Sequence, residues 1–250
     1  MTHPLFYTPE ITEARPGETV YLEPESSAHA IRSMRLNTSD PVLLSDGAGT
    51  LAAGVIESAD PRRAGVQVEE LTVQARPAVR ITLVQALAKG DRDLLAAEMA
   101  TELGVDAVTP WQAQRSIVRI RPERSAKTRT KWQAKLRSAA QQSRRAFIPK
   151  LHPLVHATSI AELHAPQKGH QLIVLHEEGP VGLQTALGAM PDTIEEIHLA
   201  VGPEGGVSPD ELTAVQEIGA SVVKLGSTVM RASTAGPAAI AVLNHLFDRW

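Results

Sequence analysis

Across residues 1–74, hydrophobic positions fall in short alternating or β-branched runs: "LFYT", "TVYLE", "PVLLSDG", "TLAAGVIES" and "VQVEELTV". Each predicts a strand, and Asp46-Gly47 predicts a turn between two of them. One amphipathic stretch interrupts the series. In "SSAHAIRSMRL" Ser26 or Ser27 is a candidate N-cap; Ile31, Met34 and Leu36 face a core, and Arg32 and Arg35 point elsewhere. The sum is a small β-barrel-like unit. At "VQARPAV" the pattern stops, because Pro77 biases the residue before it away from helix. A boundary at Gln74–Ala78 thus separates an N-terminal domain, 1–74, from a second domain, 79–250.

Beyond that boundary the hydrophobic period switches between strand and helix. "RITLVQAL" predicts a strand, "DRDLLAAEMATELG" a helix with Leu95, Met99 and Leu103 four apart and Gly104 ending it, and "VDAVTPW" the next strand. In the long helix "TKWQAKLRSAAQQSRR", Trp132, Leu136, Ala139 or Ala140 and Ser143 form the inward stripe, with Lys131, Lys135, Gln142 and Arg145 outward. "QLIVLHEEG", "EIHLAVGPEGG" and "SVVKL" are further strands that end in loops. Such alternation implies an α/β architecture, a mostly parallel sheet covered by helices on both sides.

Two of those loops carry candidate chemistry. In "VGPEGGVSPDEL", residues 201–212, the strand stops at Gly202; Ser208 is an N-cap, Pro209 the first helical residue, and Glu211 completes a capping box. Gly202, Gly205 and Gly206 clear side chains from the main chain at the carboxyl end of a parallel strand, where such sheets bind ligands. Neither phosphate-binding GxxxxGK[ST] nor dinucleotide GxGxxG is present. The second loop, Leu225 to Arg231, repeats the arrangement before a small-residue helix starting near Ser233 or Thr234.

Composition adds limits. The chain has 250 residues, a net charge of -3 and 43% hydrophobic residues, as expected of a globular cytoplasmic protein; no long apolar run predicts a membrane span. Without cysteine there is no disulfide and no thiolate zinc site. His152 and His156 stand four apart, but Pro153 between them argues against a shared helical face, so no metal site is expected. Charge is uneven. From Arg115 to Arg145 eleven Lys or Arg face one acid, Glu123, so this segment carries +10 and the rest of the chain -13. That is the footprint of a polyanion partner, and Arg32, Arg35, Arg115, Arg119, Arg121, Lys131, Lys135, Arg144 and Arg145 are candidate RNA contacts.

Taken together, "GPEGG" and the later "LGSTVMRASTA" resemble the paired cofactor loops of SPOUT-class RNA methyltransferases, which use S-adenosylmethionine. More narrowly the chain resembles the RsmE family, which methylates N3 of a uridine near the 3′ end of 16S ribosomal RNA. "QALAKGDRDLLAAEMATELGVDAVTP", "RSIV", "KWQAKLRSAAQQSRR" and "HAIRSMRL" extend the resemblance over essentially the whole chain. It implies a PUA-like RNA-binding barrel, an α/β SPOUT domain with a C-terminal trefoil knot, and a homodimer. Rules of chain connection would have excluded the knot.

The resemblance also implies a site. Gly202, Glu204, Gly205 and Gly206 match the first cofactor loop, and Leu225, Gly226, Met230, Arg231, Thr234 and Ala235 the second; Leu175, His176 and Glu177 would form a third wall. Ser233 and Gln141-Gln142 stand where the family commonly carries an acid and a Glu-Gln pair. Arg231 is the candidate for stabilising the uracil anion, with Glu204 either a base or a structural acceptor. The expected substrate is the assembled small ribosomal subunit. Alternative readings are a SPOUT enzyme acting at another RNA position or on a ribose 2′-OH, and an RNA binder in ribosome assembly that has lost catalysis.

Overall fold

A computed structural model describes residues 3–162, 169–191 and 193–250. The chain divides into two compact units, 1–76 with 140–148, and 77–139 with 149–250. The break at Arg76 lies inside the expected boundary. The return of 140–148 to the N-terminal unit was not foreseen by a reading that kept the two domains contiguous.

The N-terminal unit is a five-stranded sheet of β1 (Leu5–Tyr7), β2 (Thr19–Tyr21), β3 (Pro41–Ser45), β4 (Thr50–Ser58) and β5 (Gly65–Val73). Their order is β1-β3-β4-β5-β2, with β1 parallel to β3 and the other pairs antiparallel. Phe6, Ile11, Leu44, Ile56 and Val66 fill its core. From residues 140–148, Ala140 and Ile148 join a second small cluster with Leu5, Tyr7, Leu43 and Leu51, where the Tyr7 hydroxyl donates to the Arg145 carbonyl (2.8 Å) and the Ser45 hydroxyl to that of Ala146 (3.0 Å). The helix of this unit, α1 (Pro24–Ala28), begins earlier than expected. Ser27 is not its N-cap: buried inside the helix, its hydroxyl donates to the Leu22 carbonyl and accepts from the Ala64 amide, tying the helix to the strands. Met34, expected in the core, is exposed.

In the second unit, β6 (Arg80–Ala86), β7 (Ala107–Gln112), β8 (Lys150–Leu151), β9 (Val155–His156), β10 (His170–Leu175), β11 (Val181–Gly182), β12 (Glu196–Val201) and β13 (Ser221–Lys224) form one wholly parallel sheet. Its order is β11-β13-β10-β12-β6-β7-β8, with β9 also on β7. The strand period of two sorts side chains to opposite faces. Ile81, Leu83, Ile173, Ile197 and Leu199 meet α2 (Arg92–Glu102), α4 (Leu183–Gly188), α6 (Ala232–Leu246) and the Trp132–Leu136 stripe of α3 (Ser125–Gln142). Val84, Leu172, Val174 and Ala200 meet Val215 of α5 (Pro209–Glu217) and Ile160. Helices therefore cover both faces, as expected.

The four-apart series Leu95, Met99 and Leu103 is not the buried face of α2. Leu95 is 45% exposed and Met99 and Leu103 are half-buried, while Leu94, Ala96, Ala97, Ala100 and Thr101 are buried. The reason is close helix packing: α2 lies against α6, and small residues let the two backbones approach. Gly236 of α6 shows the same constraint against the sheet, since an added Cβ would lie 2.8 Å from Leu83 Cδ1. Among the described residues no helix is long and apolar enough to cross a membrane.

Candidate functional site

Three strands of the second unit stop at a common edge. Leu175 ends β10, Val201 ends β12 and Lys224 ends β13, and their following loops enclose a cleft of about 340 Å³. Because the strands are parallel, all three contribute carboxyl ends, and main-chain groups released from the sheet face the same space. Arg231, the N-cap of α6, with Ala232 and Ala235 of its first turn closes another side, and Arg92 of α2 reaches in.

The first loop owes its shape to its sequence. Gly202 leaves room for Val207, whose Cγ2 would sit 2.8 Å from an added Cβ; Gly205 packs on Arg115, whose carbonyl oxygen would be 3.1 Å away; and Gly206 adopts φ +75°, where other residues are strained. The loop ends in the expected capping box. The Glu211 amide donates to Ser208 Oγ at 3.3 Å, and the Ser208 amide to Glu211 Oε2 at 2.9 Å. Glu211 is fully buried, and its other oxygen accepts from the Gln114 amide at 2.6 Å, so the capping residue also ties this loop to the one after β7.

A second carboxylate fixes the other flank. Glu204 Oε1 accepts from the Lys89 amide at 3.1 Å and pairs with Arg92 Nη1 at 3.6 Å, which joins the glycine loop to the start of α2. On the third wall the His176 amide donates to the Val223 carbonyl (2.9 Å), and His176 Nδ1 accepts from the Glu178 amide (3.1 Å). Near this flank Asp93 has a pKa above the usual carboxylate value: burial dominates, and the nearby Asp91 charge adds to it, against hydrogen bonds from the Leu94 and Ala88 amides.

The cleft brings together most of the residues singled out from sequence. Leu175, His176, Glu177, Gly202, Glu204, Gly206, Leu225, Gly226, Met230, Arg231 and Ala235 line it; Gly205 and Thr234 do not. Gly205 instead buttresses the loop from behind, and Thr234 begins α6, its amide donating to the Arg231 carbonyl. Unforeseen lining residues are Arg92, Val201, Pro203, Val207, Lys224, Thr228, Val229 and Ala232. Several are chain neighbours of the glycines; Arg92 comes from a distant segment and left no local signal.

The basic residues are less uniform than their count suggests. Lys131 pairs with Asp91 (2.8 Å) and Lys135 with Glu98 (3.0 Å), so acids outside the segment neutralise part of its +10. Arg115 Nη1 donates to the Gly205 carbonyl (3.3 Å) and Arg119 Nη2 to the Gln114 carbonyl (2.9 Å). Arg121 is exposed. Arg32, Arg35, Arg144 and Arg145 belong to the N-terminal unit. His152 and His156 line a smaller cavity of about 270 Å³ with Trp132 and Arg129. Among the described residues, the cluster with metal-ligand spacing is a different one, His170, Glu196 and His198.

Comparison with known proteins places this geometry. The profile of the RNA methyltransferase domain matches residues 75–244. A ribosomal RNA small subunit methyltransferase E of Mycobacterium bovis is 36% identical over 98% of this chain and 93% of its own length. The chain belongs to the ribosomal RNA small subunit methyltransferase E family. Another member, from Bacillus subtilis, is 26% identical over 96% of this chain and 95% of its own. The crystal structure of the Neisseria gonorrhoeae methyltransferase E, solved with bound S-adenosyl methionine, has a TM-score of 0.84 and 28% identity, covering 98% of both chains. In this methyltransferase E chain the paired glycine loops of the sequence thus meet at one cleft of the α/β unit.

Proposed function

We propose that the protein transfers a methyl group from S-adenosylmethionine to N3 of a single uridine of 16S ribosomal RNA, acting on the small ribosomal subunit in the cytoplasm. The observation that carries this reading is the cleft at the carboxyl ends of β10, β12 and β13, walled by main chain and small residues, in a fold shared with a cofactor-bound member of the family. Leu175, Gly202, Gly206, Leu225, Gly226, Met230 and Ala235 would hold the adenosine part. Arg92 and Arg231 supply positive charge at its rim. The proposal carries with it the SPOUT knot around these loops, a PUA-like N-terminal unit, RNA contacts from the basic residues named above, and a homodimer.

The chemistry needs N3 as a nucleophile although it bears a proton at neutral pH. As that proton passes to water, negative charge spreads to the flanking carbonyl oxygens; the N3 lone pair then attacks the methyl carbon in line while the carbon–sulfur bond breaks, its electron pair returning to sulfur and S-adenosylhomocysteine leaving. Arg231 suits the charge-stabilising role: it is exposed at the cleft and makes no ion pair among the described residues. Glu204 is instead taken up by Lys89 and Arg92, which favours the structural role. Ser233, at the position where the family often has an acid, is 5% exposed and lies outside the cleft lining. A carboxylate there would be buried in α6, so its absence does not deprive the cleft of a base.

The test is methyl transfer from labelled S-adenosylmethionine to small subunits from cells lacking the protein, followed by nucleoside mapping. N3-methyluridine at one site is expected, and Arg231→Ala should lower kcat about a hundredfold, the scale of one lost charge-stabilising donor, with cofactor affinity changed far less. Methylation at a ribose, or cofactor binding without transfer, would replace this reading with one of the two alternatives.

A further inference from the structure

At the opposite edge of the sheet from the cleft, β10 and β12 begin with His170 and Glu196, which are direct partners in the parallel register, and His198 follows on the same face. His198 is buried, while His170 and Glu196 are half-buried, leaving a path from solvent. We propose that His170 Nδ1, His198 Nε2 and Glu196 Oε1 form a binding site for a divalent transition-metal ion of the zinc class.

The distances fit the coordination of such an ion. His198 Nε2 lies 3.3 Å from His170 Nδ1 and 3.5 Å from Glu196 Oε1, and all three donor atoms fall within 4.8 Å of one another. Around a tetrahedral zinc with bonds of about 2.0–2.1 Å, neighbouring ligand atoms stand about 3.3–3.5 Å apart. Two of the three separations match that spacing, and the third, between His170 Nδ1 and Glu196 Oε1, lies within 4.8 Å, so an ion would be met by drawing those two side chains together. Three ligands leave a fourth position for water. Two imidazoles and one carboxylate suit zinc, cobalt or nickel, whereas magnesium and calcium prefer oxygen ligands.

The surroundings of the carboxylate resemble an outer coordination shell. Thr82 Oγ1 donates to Glu196 Oε1 at 2.7 Å, and Arg80 holds Oε2 at 3.2 Å through Nε, so the ligand oxygen is oriented by partners on the neighbouring strand β6. Arg80 also places a positive charge near the incoming cation and moderates its affinity. Glu196 and Val201 lie at opposite ends of β12, about 16 Å apart at strand rise, so the site is separate from the cleft. Its effect would be to staple β10 to β12, and by linkage a bound ion stabilises the folded chain.

Isothermal titration of the full chain with zinc chloride, and absorption spectroscopy with cobalt, test the proposal without relying on activity. One ion per chain is expected, with intense tetrahedral cobalt bands, a higher melting temperature, and no comparable response to magnesium. His170→Ala, at a half-buried position, should weaken binding about a hundredfold with the circular dichroism spectrum intact; Thr82→Val should weaken it about tenfold, the lower end of outer-shell effects. His156→Ala, which alters the histidine pair at the other cavity, should change nothing. Zinc binding that survives His170→Ala, or cobalt without tetrahedral bands, would overturn the proposal.

Discussion

At the carboxyl ends of β10, β12 and β13 a cleft opens among glycines, a proline and small side chains, with His176, Glu177, Glu204, Lys224 and Arg231 around it, whereas at the amino ends of β6, β10 and β12 Arg80, Thr82, His170, Glu196 and His198 bond to one another. The same strands thus open a cleft walled in part by main chain at one edge and close a cluster of mutually bonded polar side chains at the other. In the first case recognition depends on what has been removed, and the loop is held by acceptors behind it, Glu211 and Glu204. In the second it depends on groups that constrain one another. Burial lowers the His198 pKa to about 4, and for Glu196 the Thr82 hydrogen bond and the charges of His198 and Arg80 outweigh burial and lower its pKa. A substitution at the carboxyl edge should therefore act on binding, and one at the amino edge on stability.

The largest expected effect is at Gly206. Gly206→Val puts a β-branched residue at φ +75°, where an ordinary side chain already costs about 1–2 kcal/mol, and places two methyl groups at the cleft wall. Affinity for S-adenosylmethionine, measured by titration calorimetry, should fall about a hundredfold, which is roughly 2.7 kcal/mol. Unchanged affinity would mean that the cofactor does not use this wall, and the contrast between the two edges would lose its basis.

These features were unequally legible in the sequence. The capping box could be read because Ser208, Pro209 and Glu211 act within one helical turn, and the glycines because their spacing brackets a strand end. What failed was non-local. In α2 the spacing of Leu95, Met99 and Leu103 predicts the helix but not its buried face: against a small-residue partner the helix buries alanines and leaves Leu95 outside. Residues 140–148 return to the N-terminal sheet through hydrogen bonds to Tyr7 and Ser45, partners more than a hundred positions away that no periodicity reports. His170 and His198 likewise meet only because β10 and β12 are neighbours in the sheet, while the sequence drew attention to His152 and His156.

A smaller effect probes the amino edge. Thr82→Val keeps the shape of a buried side chain but removes the donor to Glu196 Oε1. Leaving that carboxylate one hydrogen bond short should cost about 1–2 kcal/mol in chemical denaturation. Cofactor affinity should stay within about twofold, since the substitution lies at the other end of the strands. A large loss of affinity would show the two edges to be coupled through β6 and β12.

Asp93 gives the smallest effect and the sharpest sign, because it is an ionisable group buried beside the carboxyl edge, where the cleft is walled in part by main chain. Its folded pKa lies above the unfolded value, since burial penalises the charged form and Asp91 adds repulsion. The folded state therefore binds the proton more tightly. The stabilisation is fully present below the unfolded pKa and is lost as pH rises through the folded value, so at neutral pH the protein carries a buried carboxylate at a cost. Asp93→Asn cannot ionise; its one oxygen can keep accepting from the Leu94 amide (2.8 Å), while its NH2 faces the Ala88 amide and the longer bond there (3.4 Å) is lost. The melting temperature of the variant relative to the parent should be highest at neutral pH and should fall as acid protonates Asp93 in the parent. A melting-temperature difference between the two that stays flat across the acid range would mean that Asp93 is hydrated in solution and that the carboxyl edge holds no buried charge of this kind.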